Sequence, residues 1–186
     1  MEPRALISFG KLALALVLTL TSNILLPNTS SAQIDVFASI DGLQCASTDS
    51  AFKGAMIVRS LSGGFSAGNG APGGRQASLA PLKIAKDFDQ CSPELFRSAV
   101  VGQAFARVRI SFVKESGARP VFFVIELTNA TVQDMTIGAN DAIGQTAEEV
   151  SFSFQKIKLT DIVIDATGKQ VGTVVAECDF TTLKCI

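Results

Sequence analysis

The chain has 186 residues and is nearly neutral, with 16 basic against 17 acidic residues; it contains no histidine, tryptophan or tyrosine. This charge balance excludes the electrostatic footprint expected of a partner for nucleic acid or an anionic membrane. Without histidine, Ser-His-Asp and Cys-His nucleophile pairs are excluded as well. The missing Trp and Tyr also weaken a sugar-binding reading, because sugar sites commonly stack on those rings.

The N-terminus has the three parts of a secretory signal. Arg4 and Lys11 supply the positive region, and Leu12 to Leu20 a short apolar run. Pro27 breaks any helix there. Ser30, Ser31 and Ala32 put small residues at the cleavage positions before Gln33. Thr19, Thr21, Ser22 and Asn23 interrupt the apolar run, so it falls short of the roughly 18 residues that a membrane anchor needs. No Arg-Arg pair precedes the run, and no cysteine at the cut site could accept a lipid. The sequence therefore predicts a signal peptide over 1–32, cut after Ala32, and one domain over 33–186. That domain is expected to be secreted or periplasmic, with no membrane attachment after cleavage.

Further along, Ile34, Val36, Ala38 and Ile40 alternate before a turn at Asp41-Gly42, as in a half-buried strand. Met56 to Leu61 is a short apolar run. Residues 62–75 are glycine-rich, and the alternation over Leu79 to Ile84 reads as strand. Ser92 as N-cap, Pro93 at the first helical position and Glu94 in the first turn open the one convincing helix. Its predicted apolar stripe is Leu95, Phe96, Ala99 and Val100, and Gly102 stops it.

Ala104 to Lys114 and Val121 to Val132 flank the turn Ser116 to Pro120 and read as a hairpin. The start of the second strand is apolar on both faces, so both are expected to be covered. From Glu149 to Ile164 the apolar positions change parity, with Val150, Phe152 and Phe154 followed by Ile157 and Leu159. A bulge near Gln155-Lys156 would produce this switch. Asp165 to Lys169 is a turn, and Val171 to Phe180 the last strand. The predicted class is mainly β, a small closed antiparallel barrel with one flanking helix.

All four cysteines, Cys45, Cys91, Cys178 and Cys185, lie in the exported part, and their even number predicts two disulfides. Three pairings are possible. Cys178 and Cys185 are close enough in sequence to bridge the tail, which would leave Cys45 for Cys91. No CxxC spacing supports a metal site, and no cofactor is expected. Gly68 to Gly73 matches GxGxxG, but no helix is predicted behind it to hold a phosphate. A partner-docking loop is the better reading. Asp87, Asp89, Glu148 and Glu149 are read as solvated strand-end charges, and Asp35 and Asp41 as equally bland. The phenylalanines in strand patterns are read as core. Asn129-Ala130-Thr131 is a sequon that matters only in a eukaryotic secretory pathway.

The order of segments resembles the haemolysin-coregulated protein (Hcp) family, the tube subunit of type VI secretion. The resemblance rests on Val36 to Gly42 and on Ile57 to Ser62 leading into the glycine-rich loop. It continues through Leu82-Lys83-Ile84 with Asp87, Cys91 to Phe96, Ala106 to Ile110, and Ile125 to Thr128. Glu148 to Ile157 and the Asp165 to Lys169 turn complete it. The resemblance implies a β barrel with a flanking helix, homohexameric rings that stack into a hollow tube, and small effector proteins in the lumen. It makes Gly63, Gly64, Phe65, Gly68, Gly70, Gly73 and Gly74 candidates for a subunit-interface loop. Two features depart from the family pattern: a cleavable export signal, and four cysteines. The expected function is thus a non-enzymatic, exported Hcp-like structural or carrier protein. The competing expectation is a monomeric binding module on the same fold that has lost ring assembly.

Overall fold

The computed structural model describes residues 33–67, 77–115, 117–140 and 145–186. The predicted signal segment lies outside the described residues, as do Gly68, Gly70, Gly73 and Gly74. Alternation of apolar and polar residues gives ten strands: β1 (Ile34–Ile40), β2 (Met56–Val58), β3 (Ser60–Ala67), β4 (Ala77–Lys86), β5 (Ala104–Lys114), β6 (Val121–Asn140), β7 (Gln145–Ser153), β8 (Lys156–Ile164), β9 (Gln170–Asp179) and β10 (Lys184–Cys185). A single helix, α1 (Ser92–Val101), joins β4 to β5.

The strands form one antiparallel sheet in the order β10-β9-β8-β6-β5-β1-β2, with β3 on β4, β4 on β7 and β7 on β6. The sheet branches at β6, whose first half pairs with β5 and β8 and whose second half pairs with β7. Hydrogen bonds do not close it into the expected barrel. Among the described residues β2 pairs only with β1, and at Arg59 the chain crosses into β3, which pairs with β4. One backbone bond marks that crossing, from Arg59 N–H to the Ala85 carbonyl at 2.8 Å.

The parity change in the Glu149 to Ile164 segment is real, but its origin differs from the expected bulge. Thr131 pairs with Ser153 and Thr128 with Lys156, so the pairing register carries straight across the break between β7 and β8. Both strands change faces together. Opposite Phe154 and Gln155, Asn129 takes a left-handed conformation (φ 51°), which Asn tolerates better than most residues. Buried residues on β6 accordingly switch from Ile125 and Leu127 to Ala130 and Val132. The register shift itself lies nearby on β6, between Val132 and Asp134.

The main core collects Ala38, Ile40, Val108, Ile110, Leu127, Val150 and Phe152 from the inward sides of these strands. A smaller cluster on the opposite side holds Phe37, Ala55 and Val113, with Phe52 stacked on Phe37 at 4.5 Å. At the start of β6, Val121, Phe122 and Phe123 are half-buried and Val124 and Ile125 buried.

Helix α1 differs from its sequence reading in two respects. Its N-cap is Cys91, which makes no side-chain capping bond, and Ser92 is the first helical residue. Its apolar stripe is also split. Leu95 is fully buried and Ala99 packs on the core, whereas Phe96 and Val100 are 55% and 71% exposed. Gly102 ends the helix in the left-handed conformation (φ 67°), where glycine carries no Cβ penalty.

Candidate functional site

A buried ionic cluster seats the start of α1 on the sheet. Lys86 at the end of β4 stands directly across the ladder from Glu148 on β7, and the two form an ion pair with side chains 1% and 0% exposed. Lys86 Nζ also pairs with Asp89 Oδ1 at 2.9 Å and donates to the Asp87 carbonyl at 2.8 Å. Ser92 Oγ donates to Glu148 Oε1 at 2.8 Å, so the first turn of the helix is tied to β7. Asp89 in turn accepts the backbone N–H of Cys91 at 3.0 Å and of Ala46 at 3.2 Å. Asp89 and Glu148, read from sequence as solvated charges, are therefore enclosed. Asp87 and Glu149 do sit at the surface, paired with Arg59 and Lys83.

Cys45 is bonded to Cys91 beside this cluster and Cys178 to Cys185 at the C-terminal edge. Cys45, Asp89 and Cys91 bring donor atoms within 4.8 Å of one another. Because the two sulfurs are bonded to each other, they offer no thiolate pair to a metal.

Of the predicted interface loop, Gly63, Gly64 and Phe65 lie on β3 as part of a hairpin arm. Gly64 pairs with Ala80, Phe65 with Leu79 and Ala67 with Ala77, whereas the pairing of β4 with β7 starts only at Leu82. Among the described residues the outer arm thus hydrogen-bonds only to itself. A register shift interrupts the β3–β4 ladder at Gly63. There φ is 152°, and a Cβ would sit 2.9 Å from Leu82 Cδ1 and 3.0 Å from its Cα, so only glycine fits without a shift. The GxGxxG segment is followed by the strand β4, which supplies no helix N-terminus for a phosphate.

The outward side of β5, β6, β8, β9 and β10 carries alternating charge. Register aligns Arg109, Glu126, Lys158 and Glu177 in one row, and Arg107, Thr128, Lys156, Asp179 and Lys184 in the next. Arg109 reaches Glu126 at 3.0 Å and Lys156 reaches Asp179 at 3.1 Å. The Asp179 carboxyl is held below the ordinary carboxylate range, chiefly by the Thr181 hydroxyl and also by Lys156. At the far end, Arg119 joins Asp49 at 2.6 Å and Asp35 at 2.9 Å. Asp41, read as bland, pairs with Arg107 at 3.3 Å.

The inward side of the same sheet is apolar, and it runs on past the core. One row is Val36, Phe112, Phe123, Asp161 and Val174. Its last two members lie on β8 and β9, where nothing covers them among the described residues. Val174 is 64% and Val163 41% exposed.

The architecture is an antiparallel sheet with a self-paired arm, an alternately charged face and a single helix seated by a buried ion pair. The comparisons specify the family. The profile described as "Type VI secretion system effector, Hcp" matches residues 37–160, and the chain belongs to that family. It is similar to the crystal structure of Hcp1 from Salmonella typhimurium at 25% identity and TM-score 0.70, covering 82% of this chain and 99% of that one. A structure described as a type six secretion system protein gives TM-score 0.75 at 22% identity, with 83% and 100% covered. A type VI secretion system effector from Yersinia pestis gives 0.64 at 23%, with 78% and 99% covered. No curated protein matches the chain significantly.

Proposed function

We propose that this protein is an exported, non-enzymatic Hcp-family subunit that self-associates into a homohexameric ring of the tube type. It acts in the periplasm or outside the cell as a structural or carrier element, with small effector proteins as its cargo. The observation that carries this reading is the coverage: the fold agrees with Hcp1 over nearly all of that chain. The self-paired arm supports it, because its outer part, which among the described residues makes no ladder with the body, is free to reach a neighbouring subunit. The charged face is consistent with a lumen wall: alternating signs cancel at short range and hold no passenger tightly.

Two disulfides fit an oxidising compartment, as does the predicted signal with its cut after Ala32. Export before assembly separates the ring from any cytoplasmic sheath, so its duty lies outside that machine. The full-length chain, expressed in a bacterium with intact export, tests the reading in two parts. N-terminal sequencing should find Gln33 first in the periplasmic fraction, and electron microscopy of that material should show hollow rings. Uncleaved protein retained in the cytoplasm would sink the export claim. Isolated monomers in the micrographs would sink the ring.

A further inference from the structure

Among the apolar surfaces that the described residues leave uncovered, one on α1 carries the Arg97–Glu94 ion pair and one on β8 and β9 carries a carboxylate without a cation. On α1, Phe96, Val100 and Val101 are 55%, 71% and 61% exposed, and Arg97 lies among them at helical spacings of three and four from the valines. Arg97 holds Glu94 through Nε at 2.9 Å and through Nη2, and its Nη1 makes no hydrogen bond among the described residues. The second surface is the inward side of β8 and β9 beyond the core. There the exposed Val163, Val174 and Ala176 surround Asp161, which makes no ion pair among the described residues.

Both surfaces are anomalous for an isolated subunit. The inward side of a sheet is the side that a core covers, and here Ile157 and Leu159 still pack on the core while the next positions along the strand do not. Clustered exposed apolar side chains of this kind mark interaction surfaces. The two patches are different surfaces of one chain, so each can be covered by the other only in a head-to-tail contact between copies. A repeated contact of that type closes into a ring when the rotation allows.

We infer that the outer stripe of α1 in one copy docks on the inward side of the β8–β9 ribbon of the next, with Arg97 meeting Asp161. This rests on the ring reading above and names the surfaces that make the ring. Burial of the valines and Phe96 supplies the attraction. The Arg97–Asp161 contact sets the register, because Asp161 buried without a cation would be penalised, while Arg97 can keep Glu94 and offer its remaining Nη1 donor.

The test is a charge swap, read as subunit count by light scattering on full-length gene products recovered after export. Arg97→Asp alone and Asp161→Arg alone should each weaken assembly by at least about tenfold in concentration, and the double variant should recover most of it. Both positions are exposed, and thermal unfolding of each variant checks that the fold is kept. If either charge variant fails to fold, Val100→Ser and Val174→Ser decide instead. Both should weaken the ring, whereas Val171→Ser on the other side of β9 should not. Single variants that assemble like the parent overturn the inference and leave the ring standing, and so does a double variant that fails to recover. A parent that is monomeric at every concentration overturns both.

Discussion

The Lys86 ammonium and the Glu148 carboxylate meet across the β4–β7 ladder with both side chains closed off from solvent. Each continues the inward-facing set of its own strand, Lys86 after Leu82 and Ile84, and Glu148 before Val150 and Phe152. The pair therefore occupies core positions at the point where the helix begins. Glu148 and Asp89 between them hold Ser92, the Cys91 backbone and the loop at Ala46.

Removing one partner should be costly because it strands a buried charge. Lys86→Met is expected to lower unfolding free energy by roughly 3–5 kcal/mol in urea denaturation. Adding Glu148→Leu should recover only the part of that loss owed to Glu148, because the enclosed Asp89 is still left without its cation. Lys83→Ala breaks the neighbouring Lys83–Glu149 pair, whose side chains are 45% and 41% exposed, and should shift the urea midpoint far less than Lys86→Met does.

The two disulfides close loops of very different length, with sequence separations of 46 and 7. In the chain-entropy account, replacing Cys45 and Cys91 by Ala should cost about 4 kcal/mol, and replacing Cys178 and Cys185 about 2 kcal/mol. Intact-mass measurement with and without reductant checks the bonds themselves, through the gain of two hydrogens per bridge. No mass change on reduction would refute them.

Gly63 and Gly64 are adjacent but not equivalent. A Cβ on Gly63 meets Leu82 and the Pro81 carbonyl, whereas one on Gly64 meets nothing within 4 Å. Gly63→Ala should lose about 1–3 kcal/mol of stability through the strained backbone and the collision. Gly64→Ala should stay within about 0.5 kcal/mol of the parent. Thermal unfolding of the two variants compares them directly.

Replacing residues 64–80 by a two-residue Asn-Gly turn removes the outer β3–β4 pairing, which among the described residues is made only within the arm. The shortened protein should keep its cooperative unfolding and both disulfides but lose assembly in light scattering. An arm-less protein that still assembles would remove the arm from the ring contact.

Stability should fall in acid, beginning near the ordinary carboxylate range. Asp49, Asp165 and Asp179 are all held below the ordinary 3.8: Asp49 chiefly by Arg119, Asp165 by the Thr167 hydroxyl, and Asp179 by the Thr181 hydroxyl. The unfolded chain takes up these protons first, so their contribution is complete above pH 3.8 and is lost as pH drops through the folded values. Glu115 acts in the opposite sense. Its carboxyl is raised above the ordinary 4.5 by its hydrogen bond with Asp35, so its contribution is present below that pH and is lost as pH rises through the folded value. Asp179→Asn should flatten the pH dependence of urea midpoints below about pH 4, because one of the depressed groups is gone.

The strands were legible in the sequence because alternation marks a half-buried strand directly. β5 runs over Ala104–Lys114 as the pattern has it. Lys86 and Glu148 were legible in principle, since each keeps the parity of buried neighbours. Their charge favours a solvated position in the sequence, and only the ladder register shows that they face each other. Phe96 and Val100 satisfied a helical apolar stripe yet lie at the surface, because periodicity defines a face without saying what covers it. The coupled switch of faces at Asn129 and Gln155 was legible on β8 as a parity change. Its partner on β6 was hidden by the apolar run from Val121 to Ile125, which shows no parity at all. The inward β8–β9 patch depends on which strands pair with β6, and that is a property of topology alone.

The proposed ring is built from copies of one chain. Native mass spectrometry of the mature protein, with its disulfides intact, measures the subunit number directly. The account predicts a dominant six-subunit species at micromolar concentration. A strictly monomeric protein at every concentration reached, with its fold and both disulfides in place, would contradict it.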